Sequence, residues 1–371
     1  MLWEHIKRCM AKYPYRTISE RGAAITYEEA VIFAESFAKK LNAPCYAVIC
    51  QSEMAAALAI FSCFAANVTA VPLSFKTGEM KCENFFDMIK PPFVITDVGG
   101  ELQAVDIDRG EYQHPKSNPA AVICAAGFGR GAKGVMLSRA NVLSALCDTA
   151  SCFDPGAGTK SLITKPLCRC EALTGEFFSS VVNGLDIVFQ AGSSEPAAVA
   201  ELCAEQKISV IYGTQDLLRD LSRRLRLKDS SNFQAVIISG QLDDRYAPDI
   251  RAAFPNAQIY RAWALPETSG YSFCLPPRFF DTYCGYEGFP LPSIQAKISG
   301  GRGNAFPPES EGLLALRGGS VMMGYWGDEA AARKTFAGEW LRTNLTASIS
   351  KHGFIKIKTN GAFGYERIDL E

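Results

Sequence analysis

AAGFGRGAKG, residues Ala125 to Gly134, follows the apolar run PAAVIC (119–124) and precedes a helical pattern, SRANVLSALCDTA, from Ser138. A glycine-rich loop between a strand and a helix lines its backbone N–H groups toward an anion, and a lysine in it adds a point charge. This decade therefore reads as a phosphate-gripping loop in an α/β scaffold. It contains no Ser or Thr, so it lacks the hydroxyl donors that such loops use.

On either side of that loop, strand and helix signals alternate. Strands are expected at 120–124, 186–189, 208–212, 235–239 and 258–260, and helices at 138–151, 195–206, 214–224 and 244–254. Alternation of this kind predicts a mainly parallel sheet covered by helices on both faces. Upstream, 27–41 reads as amphipathic helix, 46–49 as strand, 55–66 as helix, and 70–73 and 93–96 as strands. The polar segment GEYQHPKSNP (110–119) is expected to link two α/β lobes, approximately 1–110 and 119–290. After Pro290, SIQAKIS, GLLALRG and FIKIK alternate between Gly- and Pro-rich turns, which predicts a small antiparallel β lobe over 291–358.

The 371 residues carry a net charge of −1 with acids and bases interspersed, which argues against nucleic acid or an anionic membrane as partner. The first residues lack the apolar core of a signal peptide, and the longest apolar runs fall short of a membrane span. Thirteen irregularly spaced cysteines fit a reducing, cytoplasmic setting better than a disulfide framework. The three histidines, His5, His114 and His352, all lie outside motif-like contexts, which speaks against a Ser–His–Asp triad or a His-ligated metal.

Several further segments, taken in order, resemble the N-terminal domain of the adenylate-forming superfamily, whose members include acyl-CoA synthetases, luciferases and nonribosomal peptide adenylation domains. The family loop, roughly TSGTTGxPKG, is AAGFGRGAKG here. A stretch like YGxTETSG corresponds to WALPETSG (263–270), and one like GELxVRGxxVMxGYW to GLLALRGGSVMMGYW (312–326), followed by EAAARKTF and EWLRT. Weaker echoes are ITYEEA (25–30), AVPL (70–73), KPLCRC (165–170) and SGQ (239–241).

The resemblance implies a carboxylate attacking the α-phosphate of ATP to give an acyl-adenylate, with Mg2+ and AMP as further site ligands. It places Gly127, Lys133 and Gly134 on the phosphates, with Arg130 as an additional charge, and Ser239, Gly240 and Gln241 beside the nucleotide. Glu267 falls on the magnesium-holding glutamate, so Lys133 and Glu267 are the candidate catalytic residues. Trp263 falls on the aromatic that stacks on adenine and borders the substrate. Arg169 falls on a histidine or aromatic of the acyl pocket, where its planar fork suits a carboxylate or phosphate.

The departures from the family pattern are equally specific. The loop hydroxyl positions are Ala125, Ala126, Phe128 and Gly129, and Pro266 replaces a threonine that touches the α-phosphate. Within Arg342-Thr343-Asn344-Leu345-Thr346, Leu345 falls on the aspartate that binds the ribose hydroxyls. A leucine side chain accepts no hydrogen bond. The family hinge becomes Thr359-Asn360, and GYERIDLE (364–371) resembles only the opening of the C-terminal lid domain, so 359–371 is expected to be a remnant and the lid absent. These departures point to a degenerate AMP-dependent ligase homologue that binds an acyl or aromatic carboxylate, an acyl-thioester or a partner protein. The alternatives are an active truncated ligase completed by a carrier protein or lid-supplying partner, and a scaffold subunit of a biosynthetic complex.

Overall fold

The computed structural model describes residues 1–74, 86–107, 121–126, 133–153, 155–156, 159–190, 195–225, 230–299 and 308–358. Gly127 and Arg130, and the expected link at 110–119, lie outside the described residues, as does 359–371.

Three sheets make up the architecture, and sequence-distant strands share them. The 9-stranded sheet contains β1 (Thr17–Glu20), β2 (Ala23–Thr26), β9 (Lys160–Ile163), β10 (Asp186–Phe189), β11 (Val210–Gly213), β12 (Ala235–Ser239), β13 (Gln258–Leu265), β14 (Gly270–Leu275) and β15 (Phe289–Pro290). Its order is β15-β14-β13-β12-β11-β9-β10-β1-β2, parallel from β13 through β1 and antiparallel at both edges. The central strands are buried on both faces, as in β12, AVIIS, where every residue is buried.

The 7-stranded sheet contains β3 (Cys45–Val48), β4 (Thr69–Pro72), β5 (Phe93–Val98), β6 (Glu101–Asp106), β7 (Val122–Ala126), β8 (Lys133–Leu137) and β18 (Gly324–Tyr325), ordered β18-β8-β7-β4-β3-β5-β6. The 5-stranded sheet is antiparallel: β16 (Ile294–Ser299), β17 (Gly312–Gly318), β20 (Trp340–Ile349) and β19 (Phe336–Ala337) in order, with β21 (Ile355–Ile357) on β20.

The α/β class and the antiparallel lobe are as the sequence predicts. Sheet membership corrects the expected break near 110–119. β7 and β8 lie beyond it yet join the sheet of β3 and β4, while β1 and β2 lie before it yet join β10. Arg16 and the β1 backbone at Thr17 both bind Asp186, at 3.0 and 2.9 Å, which fixes that crossing.

Helix ends follow local chemistry. Thr26 and Glu29 form a reciprocal capping box at the helix Tyr27–Ala38, and Ser138 with Asn141 does the same at Arg139–Cys152. Asn141 Nδ2 also donates to the carbonyls of Gly319 and Val321 at 2.8 and 2.7 Å, and Asp148 on the same helix accepts from Ser293 N at 3.0 Å. That helix therefore pins both ends of the chain around β16 and β17 to the α/β body.

A second tie is a buried ion pair. Arg261 on β13 meets Glu287 at 2.8 Å, and Glu287 accepts from Ile357 N at 2.7 Å. Removing one partner of a buried pair strands the other charge, so Glu287→Ala is expected to lower the unfolding free energy by about 3–5 kcal/mol. Urea denaturation followed by circular dichroism measures it, and a change under about 1 kcal/mol contradicts the role given to the pair.

Candidate active site

Two of the candidate residues and Lys165 stand at carboxyl ends of parallel strands of the 9-stranded sheet, where open α/β sheets place their ligands. Ser239 ends β12, Glu267 follows β13, and Lys165 follows β9. Gly240, at φ +93°, donates its N–H to Ala262 O at 3.0 Å, and no atom lies within 4 Å of where its Cβ would stand, so the backbone there borders open space. Gln241 is partly exposed beside it.

One cluster joins the glycine-rich hairpin to the acidic turn. β7 and β8 pair antiparallel, with Ala126 opposite Lys133 and Ala125 opposite Gly134. The segment Met322–Trp326 zips along β8: Met323 N donates to Met136 O at 2.9 Å and Trp326 N to Gly134 O at 2.7 Å. On its other side Met322 N donates to Glu267 O at 2.9 Å. This seats Tyr325 between the two predicted catalytic residues. Its hydroxyl donates to Glu267 Oε1 at 2.9 Å, and Lys133 Nζ stands 4.6 Å from its ring centroid, a cation–π distance. Lys133 and Glu267 therefore both approach Tyr325, a tyrosine the sequence did not single out. Its position in GYW, 58 residues beyond Glu267, gave no local hint.

A second cluster lies between β9 and β14. Residues Glu171–Phe178 wind as a π-helix, a form that often marks functional sites, and continue as α-helix Ser179–Val182. Gly175 lets this helix close on β14, since a Cβ there would stand 2.5 Å from the Tyr271 ring. Thr174 Oγ1 donates to Cys170 O at 2.9 Å and reaches Ser269 O at 2.5 Å. Lys165 Nζ binds Glu176 Oε1 at 2.9 Å and hydrogen-bonds to Ser239 Oγ, and Tyr271 Oη approaches the same Glu176 oxygen at 3.4 Å. The Glu176 side chain is 0% exposed and that of Lys165 17%. Burial pushes the Glu176 carboxyl above the ordinary carboxylate range, with the Lys165 charge opposing it. For Glu171 burial acts in the same sense, but Lys165 and Arg169 together outweigh it and hold the carboxyl below its usual value.

Two further candidates, Trp263 and Arg169, already have protein partners. Trp263 was expected to stack on a base; it is 1% exposed, packed in an apolar cluster with Leu265, Tyr271 and Leu345, and stacked on Phe273 at 5.6 Å. Its indole is a core group. Arg169 was expected to face a ligand; its side chain is 46% exposed and bound to Glu171 at 3.0 Å. The cation set into the wall is Lys165, whose partner Glu176 lies eleven residues on.

The substituted ribose segment keeps an irregular backbone. Between the pairs Leu313–Thr346 and Ala315–Arg342, β20 carries more residues than β17, forming a bulge. Asn344 sits there at φ +58°, the left-handed region, and its Oδ1 is buried with no hydrogen-bond partner among the described residues. Leu345 is fully buried. A cavity of about 490 Å³ lies near the amino end of β13, lined by Gln258, Tyr260, Cys274 and Arg278, and carries none of the motif residues.

With this geometry established, the comparisons with known proteins place the chain. Residues 131–326 match the AMP-binding enzyme family, and the chain belongs to that family. Among curated relatives, feruloyl-CoA synthase of an Amycolatopsis species is 20% identical over 80% of this chain and 64% of its own length. The 2-succinylbenzoate--CoA ligase of Bacillus subtilis is 23% identical over 91% and 74%. The chain spans less than two thirds of the feruloyl-CoA synthase and 41% of a long-chain-fatty-acid--CoA ligase of Escherichia coli. The same fold occurs in o-succinylbenzoate CoA synthetase from B. subtilis in complex with its acyl-adenylate intermediate (TM-score 0.80, 20% identity, 95% of this chain and 98% of that one). It also occurs in the N-terminal domain of FACL13 from Mycobacterium tuberculosis (TM-score 0.81, 17% identity, 96% and 98%).

The raised Glu176 carboxyl has a signed consequence. Between its ordinary value and its higher folded value, the native state holds a proton that the unfolded chain has released, so this group's stabilisation is full at low pH and is lost as pH rises through the folded value. Glu176→Gln is expected to flatten that part of the decline in urea-denaturation free energy from about pH 4.5 upward. Identical slopes for wild type and variant contradict it.

Proposed function

We propose that the chain is an adenylate-former homologue deficient in ATP-driven adenylation, whose pocket still binds a small acyl or carboxylate-bearing molecule, as the free acid or as a thioester. The observation that carries this reading is Leu345, fully buried in the core at the place the resemblance gives to the ribose-binding aspartate. Tested against the nucleotide piece by piece, the residues fit only in part. Lys133 at the hairpin suits phosphate, and Glu267, half-buried, offers carboxylate oxygens suited to a hard cation, with one of them already holding the Tyr325 hydroxyl. Trp263 offers no ring face to adenine and Leu345 no acceptor to ribose. Each lost hydrogen bond costs about 1–3 kcal/mol where nothing replaces it.

The acyl assignment draws on relatives whose names specify feruloyl, 2-succinylbenzoate and long-chain fatty acyl groups. A second reading, a working ligase that engages nucleotide through Lys133 and Glu267 and completes its site with a carrier protein or a lid-supplying partner, is favoured by the convergence of those two residues on Tyr325.

Calorimetric titration of ATP and AMP, each with and without Mg2+, separates them. The expected result is no binding below millimolar concentrations, no pyrophosphate exchange with any carboxylic acid, and measurable binding of free acids or acyl-thioesters. Micromolar, magnesium-dependent ATP binding that disappears in Lys133→Ala establishes the second reading instead.

A further inference from the structure

Resting on the acyl-pocket reading above, the geometry points to Lys165 as a charge-recognising group in that pocket. We infer that the ligand carries a second anionic group, a carboxylate, received by Lys165 Nζ and Ser239 Oγ.

Four observations converge. Lys165 and Ser239 stand at the carboxyl ends of β9 and β12 and are hydrogen-bonded to one another. An ammonium has three donors, and Glu176 and Ser239 account for two among the described residues. Ser239 accepts from Lys165 and so keeps its own proton to donate. The backbone next to Ser239 opens into space at Gly240.

Glu176 explains why the lysine stands there. A buried ion pair contributes little net stability compared with an apolar filling of the same volume. This one holds Lys165 in a fixed orientation from a helix that cannot shift without driving Gly175 off the Tyr271 ring. Among the described residues the second oxygen of Glu176 is buried without a hydrogen-bond partner, so the pair is incompletely satisfied as a structural device. A neutral alkyl or aryl chain there leaves the third ammonium donor and the Ser239 proton without a ligand acceptor, whereas a carboxylate satisfies both. The local charges of Lys165, Arg169, Glu171 and Glu176 cancel. A bound anion therefore competes with Glu176 for the ammonium, and burial already biases Glu176 toward its neutral form.

The test compares octanoate with suberate, acids of equal length bearing one and two carboxylates, by calorimetric titration, with AMP as a third probe. A charge-assisted hydrogen bond corresponds to roughly tenfold to a hundredfold in affinity, so suberate is expected to bind at least about tenfold tighter than octanoate. Lys165→Met, which keeps chain length and apolar volume, is expected to erase that preference. Glu176→Gln removes the competing carboxylate and is expected to tighten suberate binding, a gain that disruption of the fold does not produce. Equal affinities for the two acids in the wild-type protein, or a preference that survives Lys165→Met, overturn this inference alone. An effect of Lys165→Met on AMP instead of suberate also overturns it, assigning the cation to a nucleotide phosphate. Absence of binding by both acids overturns the acyl-pocket reading together with the inference.

Discussion

The closure of the π-helix on β14 is the constraint on which the site depends. Gly175 admits the Tyr271 ring where any side chain would collide with it, and Gly270, at φ +121°, leaves room for the Thr174 hydroxyl that reaches the Ser269 carbonyl. These contacts set the height of the acidic turn carrying Glu267 against the strand ends. They also bring Glu176 under Lys165. Because interiors are close-packed, a shift at this interface would move both clusters together.

From that frame the two halves of the candidate site are joined by backbone rather than by side chains. Met322, Met323 and Trp326 bridge Glu267 to β8 through main-chain hydrogen bonds, and Ser269 Oγ donates to Ser320 O at 2.7 Å. Tyr325 is thereby delivered between Lys133 and Glu267 whatever chemistry follows. Because the bridge is made of main-chain hydrogen bonds, its shape does not depend on which side chains flank it, and fold and site chemistry are separable.

Much of the fold was legible in the sequence. The strand–helix alternation after residue 119 and the alternating runs after Pro290 correspond to real elements, and two of the motif residues, Ser239 and Glu267, stand at or just beyond the carboxyl ends of neighbouring strands. What the sequence concealed were long-range choices. That β1 pairs with β10, 169 residues away at Thr17 and Asp186, follows from an ion pair and a hydrogen bond that no local pattern announces. The π-helix hid the Lys165–Glu176 partnership, because its winding departs from the 3.6-residue period used to assign faces. Arg169 was the more conspicuous cation in KPLCRC, yet its neighbour Glu171 binds it near the surface.

The segment Thr343–Leu345 joins an irregular backbone to the core. Asn344 occupies the left-handed conformation that a bulge demands and that asparagine tolerates better than most residues. The backbone irregularity therefore remains although the residues have changed. Leu345 then turns its side chain into the cluster holding Trp263 and Tyr271, where full burial of a leucine contributes about 1.5–3 kcal/mol. An aspartate turned the same way would face a desolvation cost of several kcal/mol unless a ligand hydroxyl or a cation met it. At this position stability and nucleotide recognition therefore pull in opposite directions. The buried indole of Trp263 packs in the same cluster and follows the same logic, since a base-stacking ring must stay open while a core ring must not.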